Sequence, residues 1–130
     1  MIGQEQRLLF TQDNKILSRE APIAALNVTA TTSGGAQALH VVPEGQAVIV
    51  SKLVACNVTA SPATLTLHVV PSGGSIGPVT ASLVGYTIAA NTAVNLTDII
   101  GGLWQSEQTV RVWSGTSAAI TLSGYYRQVF

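Results

Sequence analysis

Two short segments of the chain, HVVPEGQ (His40 to Gln46) and HVVPSGG (His68 to Gly74), repeat one pattern. Their histidines are, by type, the residues best suited to acid–base chemistry or metal binding, since an imidazole titrates near neutrality and is a common metal ligand. Two ligands do not make a metal centre, and the acids that might join them, Glu44 and Asp98, have no ligand spacing to either histidine. The competing reading is two exposed histidines on strands that close at Pro43 and Pro71. There a missing N–H ends the ladder and a glycine-containing turn follows. Similarity beyond the seven residues is poor, so the pattern reads as one strand ending written twice, not as a duplicated domain.

Other reactive arrangements are missing. The sequence has no G-x-S-x-G elbow, no G-x-x-x-x-G-K loop, no H-E-x-x-H and no close carboxylate pair. The glycine-rich run from Gly73 to Pro78 ends in Gly-Pro where a phosphate loop would open a helix, so it reads as a hairpin loop. Cys56, the only cysteine, lies in the apolar setting LVACNVT with no cation nearby in sequence, which reads as a small buried hydrophobe. Three Asn-x-Thr sequons begin at Asn27, Asn57 and Asn95, and they read as threonine-rich strand edges. The expectation is a protein that is not an enzyme and uses no metal or cofactor.

Binding is better represented. Trp104, Trp113, Tyr125 and Tyr126 fall in the C-terminal third, and aromatic rings beside amide side chains stack on sugars or anchor protein interfaces. Trp113 lies on the polar phase of its strand, which predicts partial exposure, whereas Trp104 in GGLWQSE reads as a loop or sheet-corner plug. Tyr125 and Tyr126 point to opposite faces of a regular strand, so at most one of them joins a shared platform. The apolar ending YYRQVF predicts a docked terminus.

The elements that carry these residues are strands. From Leu26 onward, β-branched runs alternate with Gly, Pro, Ser and Asn. The runs LNVTATT, QALHVV, AVIVSKLVACNVT, ATLTLHVV, VTASLVGYTIA, AVNLTDI, TVRVWS and AAITLSGYYRQVF predict about eight strands and no helix of convincing period. The fold class is all-β: an antiparallel β-sandwich or jelly roll. Leu65, Leu67 and Val69 alternate with Thr64, Thr66 and His68, and Val110 and Val112 with Arg111 and Trp113. The run from Ala47 to Thr59 breaks phase, because Lys52 shares the parity of Val50 and Val54, and a bulge near Ser51 would restore it.

Composition shifts near Ala24. Residues 1–20 hold six of the twelve charged residues, in two apolar clusters separated by TQDN and followed by Ala21-Pro22. This predicts an extended N-terminal arm or edge segment over 1–24 and a β-sandwich domain over 25–130. In the arm, Leu8, Leu9, Phe10, Ile16 and Leu17 imply burial against something, an edge of the sandwich or a neighbouring subunit.

The totals narrow the partners. Of the 130 residues, 47% are hydrophobic and only 9% charged, against roughly 25% in ordinary soluble domains. A net charge of zero provides no field to attract nucleic acid or an anionic membrane, and it leaves little repulsion between copies. Gln4, Glu5 and Gln6 stand where a signal peptide needs a basic start, and no apolar stretch approaches the length of a membrane span. A homo-oligomer, with a trimer favoured, is the expectation, without nucleic acid or membrane as partner.

The stretch AVIVSKLVACNVTASPATLTLHVVPSGGS resembles a segment of small β-sandwich virion proteins of tailed bacteriophages: a strand ending near Asn57, a Thr-Ala-Ser-Pro turn, a Thr/Leu-alternating strand and a Pro-Ser-Gly-Gly turn. The following LVGYTIAANTAVNLTDIIGGLW is similar to the same pattern, and together they cover residues 43–130. The resemblance implies a capsid decoration, head-fibre or tail-surface role. Many copies would then sit symmetrically on a virion assembled in the host cytoplasm, beside other virion proteins. The alternative is a β-module that binds a host-surface glycan or receptor. An open groove formed by Trp113 and a tyrosine would favour the alternative; aromatic rings packed in the sandwich or between chains would favour the structural role.

Overall fold

Alternation of β-branched and small polar residues drives residues 20–129, those described in the computed structural model, into nine strands. They are β1 (Glu20–Val28), β2 (Gln37–Val41), β3 (Val48–Asn57), β4 (Ala63–Val70), β5 (Ala81–Ile88), β6 (Thr92–Asn95), β7 (Leu103–Trp104), β8 (Thr109–Ser114) and β9 (Ile120–Gln128). One sheet runs β1-β9-β3-β6, with β7 also on β3; the other runs β2-β8-β4-β5. Every pairing is antiparallel.

The pairings are nested. β1 pairs with β9, β2 with β8, β3 with β6 and β4 with β5, so the chain is a long hairpin whose two arms are rolled into facing sheets. The lateral pairs of β3 with β9 and β4 with β8 close each sheet, which is jelly-roll connectivity. Between the sheets lies one apolar core, with Leu53, Ala55 and Leu122 from the first sheet meeting Leu65, Leu67, Val110 and Val112 from the second. Burying a side chain of this size contributes about 1.5–3 kcal/mol relative to leaving it in water.

The predicted bulge in β3 is present. Val50 pairs with Tyr126 and Lys52 with Tyr125, leaving Ser51 as the extra residue. Inward positions are therefore Val48 and Val50 before it, and Leu53, Ala55 and Asn57 after it. A register shift between Ile23 and Leu26 puts a second irregularity in β1, on the other side of the same stretch of β9. Gly124 lies between the two, and a Cβ there would be driven into the carbonyl oxygen of Lys52. Only glycine lets the backbones of β9 and β3 approach so closely.

Two expectations need correction. The segment AVNLTDI is not one strand: β6 stops at Asn95 and a one-turn helix, α1 (Thr97–Ile100), follows. The Oδ1 of Asn95 accepts from both the N–H (3.0 Å) and the hydroxyl (2.6 Å) of Thr97, and this local bonding turns the chain out of the ladder. Cys56 is half-buried rather than buried, because after the Ser51 bulge its parity places it on the outer side of β3. Within the segment 1–24, β1 begins at Glu20 as an edge strand of the first sheet, with Ile23 in the core. Leu8, Leu9, Phe10, Ile16 and Leu17 lie outside the described residues, as does Phe130. Val129 is tied down, its N–H donating to the Ala47 carbonyl at 2.9 Å.

Two of the sequons share one local motif. Asn57 uses Oδ1 on the N–H and hydroxyl of Thr59, as Asn95 does on Thr97. Asn57 is also wholly buried, with Nδ2 donating to the carbonyls of Ser61 (2.8 Å) and Ile88 (3.0 Å). Its amide is a joint between strands and is inaccessible to a modifying enzyme.

Candidate functional site

The two HVVP segments flank the same strand. His40 and Val41 pair with Val110 and Thr109 on one side of β8, while His68, Val69 and Val70 pair with Arg111, Val110 and Thr109 on the other. Each segment then makes the same turn. The N–H of Gln46 donates to the Pro43 carbonyl (3.2 Å) and that of Gly74 to the Pro71 carbonyl (2.9 Å), with Gly45 at φ +80° and Gly73 at φ +73°. The repeated sequence is thus a repeated strand ending, as its Pro-x-Gly termini predict.

The convergence has a geometric result. The two turns form opposite walls of a cleft of about 430 Å³ at one end of the sandwich. Val42 and Val70 contribute apolar surface to it, and Glu44, Glu107 and Arg111 contribute charge. These are three of the seven charged side chains between residues 20 and 129. The loop carrying Glu107 is pinned to the first turn: Val42 donates to the Gln108 carbonyl (2.9 Å), Glu107 donates to the Val42 carbonyl (3.0 Å), and Ser106 Oγ accepts from Gly45 (2.8 Å). Glu107 itself is held at φ +66°, a left-handed conformation rare outside glycine. Glu44 and Glu107 are exposed on the rim, so the cleft is open to water. Sequence reasoning did not gather these charges; the only signal was the repeat whose turns build the walls.

The histidines are packed, contrary to the expectation of exposed ones, and they point to opposite sides of the sheet. In β2 a register shift between Ala38 and His40 makes Leu39 the extra residue. His40 is thereby turned inward, its ring 4.7 Å from that of Tyr126 and 5.8 Å from that of Trp104. In β4 no shift interrupts pairing with β8, and His68 keeps the outward phase. It is nonetheless only 6% exposed, because Trp113 stacks over it with centroids 5.1 Å apart and planes 18° from parallel.

His68 is tied to the turn before β5: its Nδ1 lies 2.7 Å from Thr80 Oγ1, which is 2.9 Å from the Gly77 carbonyl and accepts from the Gly77 N–H (3.1 Å). His40 has the opposite fortune: its Nε2 is buried without a hydrogen-bond partner. Burial lowers the pKa of His40 below its ordinary value.

The four aromatic candidates do not form a platform. Trp104 is 2% exposed and plugs the corner where β7 pairs with Val48, as the sheet-corner reading predicts. Tyr126 packs inward against the core, while Tyr125, half exposed, faces out from the first sheet. Trp113 is partly exposed on the outer side of the second sheet. Two rings are thus inside and two lie on opposite faces of the sandwich. Among the described residues no three His, Cys, Asp or Glu side chains gather where they could hold a metal ion. Comparison with protein-family models, with curated proteins and with solved structures finds no match to this chain.

Proposed function

We propose that this chain is a non-enzymatic structural component of a phage particle, a capsid-decoration or tail-surface protein that works by packing many copies together. The observation that supports this best is the character of the two outer faces. Large apolar side chains stand in water on both, Val41, Val84 (72% exposed) and Val79 (96%) beside the second sheet and Tyr125 on the first, with few charges among them. Such surface is stabilised when another copy covers it. Jelly rolls recur in capsid proteins, but also in lectins and cupins, so the fold agrees with the proposal without selecting it.

Sedimentation velocity at micromolar concentration tests the reading. A trimer or larger species is the expected result, and a stable monomer would overturn it. The competing reading, a glycan- or receptor-binding module, rests on Trp113, whose ring lies over His68 beside Arg111. Tyr125 cannot complete a groove with it from the opposite sheet. A glycan array that returned binding lost in Trp113→Ala would favour this second reading.

A further inference from the structure

We infer that His40 is an acid-sensitive latch, holding the cleft end of the sandwich closed while its ring is neutral and releasing it when the ring takes a second proton. The ring sits between the sheets, with Nε2 facing no acceptor. In the neutral tautomer with its proton on Nδ1, Nε2 presents only a bare lone pair to this buried setting. Protonation adds an Nε2–H in a place where neither water nor a carbonyl receives it.

Among the described residues no counter-charge reduces this cost. Tyr126 on β9 is the titratable group in contact with the ring, and Trp104 on β7 carries none. Opposite on β8 is Val110; Arg111 beside it faces outward, its Nη1 directed to the Ala36 carbonyl. Lys52 on β3, Glu20 on β1, and Glu44 and Glu107 on the loops are exposed, and Arg127 lies on the outward phase of β9. Attraction of an imidazolium to the faces of Trp104 and Tyr126 opposes the trend, but burial is the cause that determines the direction of the shift.

The sign follows by linkage. With the native pKa below 6.5, the unfolded chain binds the proton more tightly than the folded one. The stability that a neutral His40 contributes is complete above pH 6.5 and is lost as pH falls from there through the native value. Loss begins locally, because His40 immediately precedes Val41 and Val42. The two hydrogen bonds of Val42 pin the Gln105–Gln108 loop and, with it, one wall of the cleft. The latch is independent of what the chain packs against, so its failure and that of the assembly proposal are separable.

The test follows the histidine rings by NMR, and amide exchange, between about pH 7.5 and about pH 5 on the full chain. His40 is expected to titrate below 6.5, and the amides of Val42 and Glu107 to lose protection on acidification before those of Leu65 and Val112. His40→Phe is expected to abolish that early loss, and His68→Gln to retain it. Titration of His40 at or above 6.5, or an equal loss in His40→Phe, would overturn the inference. Should His40→Phe fail to fold, the ring titration in the wild-type chain decides alone.

Discussion

At the scale of single residues, the fold depends on a few positions whose chemistry cannot be exchanged. Asn57 is buried with both donors and its acceptor in use, joining β3, the Ser61 turn and the end of β5. Asn57→Ala strands the buried Ile88 carbonyl and is expected to cost about 2–3 kcal/mol. Urea unfolding would show this as a lower midpoint at unchanged slope. Gly124 carries a different constraint, of space against the Lys52 backbone. Gly124→Ala is expected to destabilise by about 1–3 kcal/mol or more, since the obstacle is a main chain that cannot rotate away; thermal unfolding measures it. The asparagine was visible in the sequence only as a sequon, because burial depends on which side of the Ser51 bulge it falls. The two histidines show the same limit more sharply. Identical HVVP letters give one inward and one outward ring, and a register shift against β8, present in β2 and absent in β4, separates them. Period-2 reasoning carries no information about a shift that the partner strand imposes.

At the scale of elements, the sequence was most informative where strands alternate or visibly break alternation. The parity of Val50, Lys52 and Val54 located the β3 bulge, since one extra residue is the cheapest way to return Leu53 and Ala55 to the core. The one-turn α1 was invisible by the same measure, because four residues cannot display a 3.6 period and Asn95 creates the turn through its side chain. The two-residue β7 likewise lay below any strand signal, although Trp104 was legible as a corner plug. Pairing of β1 with β9 runs from Glu20 to Val28, so a cut before Glu20 leaves every described strand whole. Removing residues 1–19 is expected to leave the β circular-dichroism signal intact while lowering the sedimentation coefficient. Loss of the β signal would instead make the segment part of the folding unit.

At the scale of the molecule, the nested pairing makes two sheets whose outer faces differ in what they present. The second sheet and its flanking turns expose Val41, Val79 and Val84, with Trp113 lying flat over His68, and Arg111 is the one charge on its outward strand positions. The first sheet exposes Tyr125 and Leu103 but also Lys52 and Glu20, with a half-buried Arg127. If copies pack through sandwich faces, the second sheet gains more by being covered, because less charge must be stripped of water there. A lysine placed on the outer side of its edge strand β5 would have to be buried without a partner in the assembly yet would stand freely in water on the separated chain. Val84→Lys is therefore expected to weaken self-association at least about tenfold, or about 1.4 kcal/mol, without lowering the unfolding midpoint of the isolated chain. Tyr125→Lys, on the other face, is expected to change association less. Sedimentation equilibrium of the two variants beside the wild-type chain measures the contrast. An equal effect of both, or the larger effect from Tyr125→Lys, would move the contact surface to the first sheet.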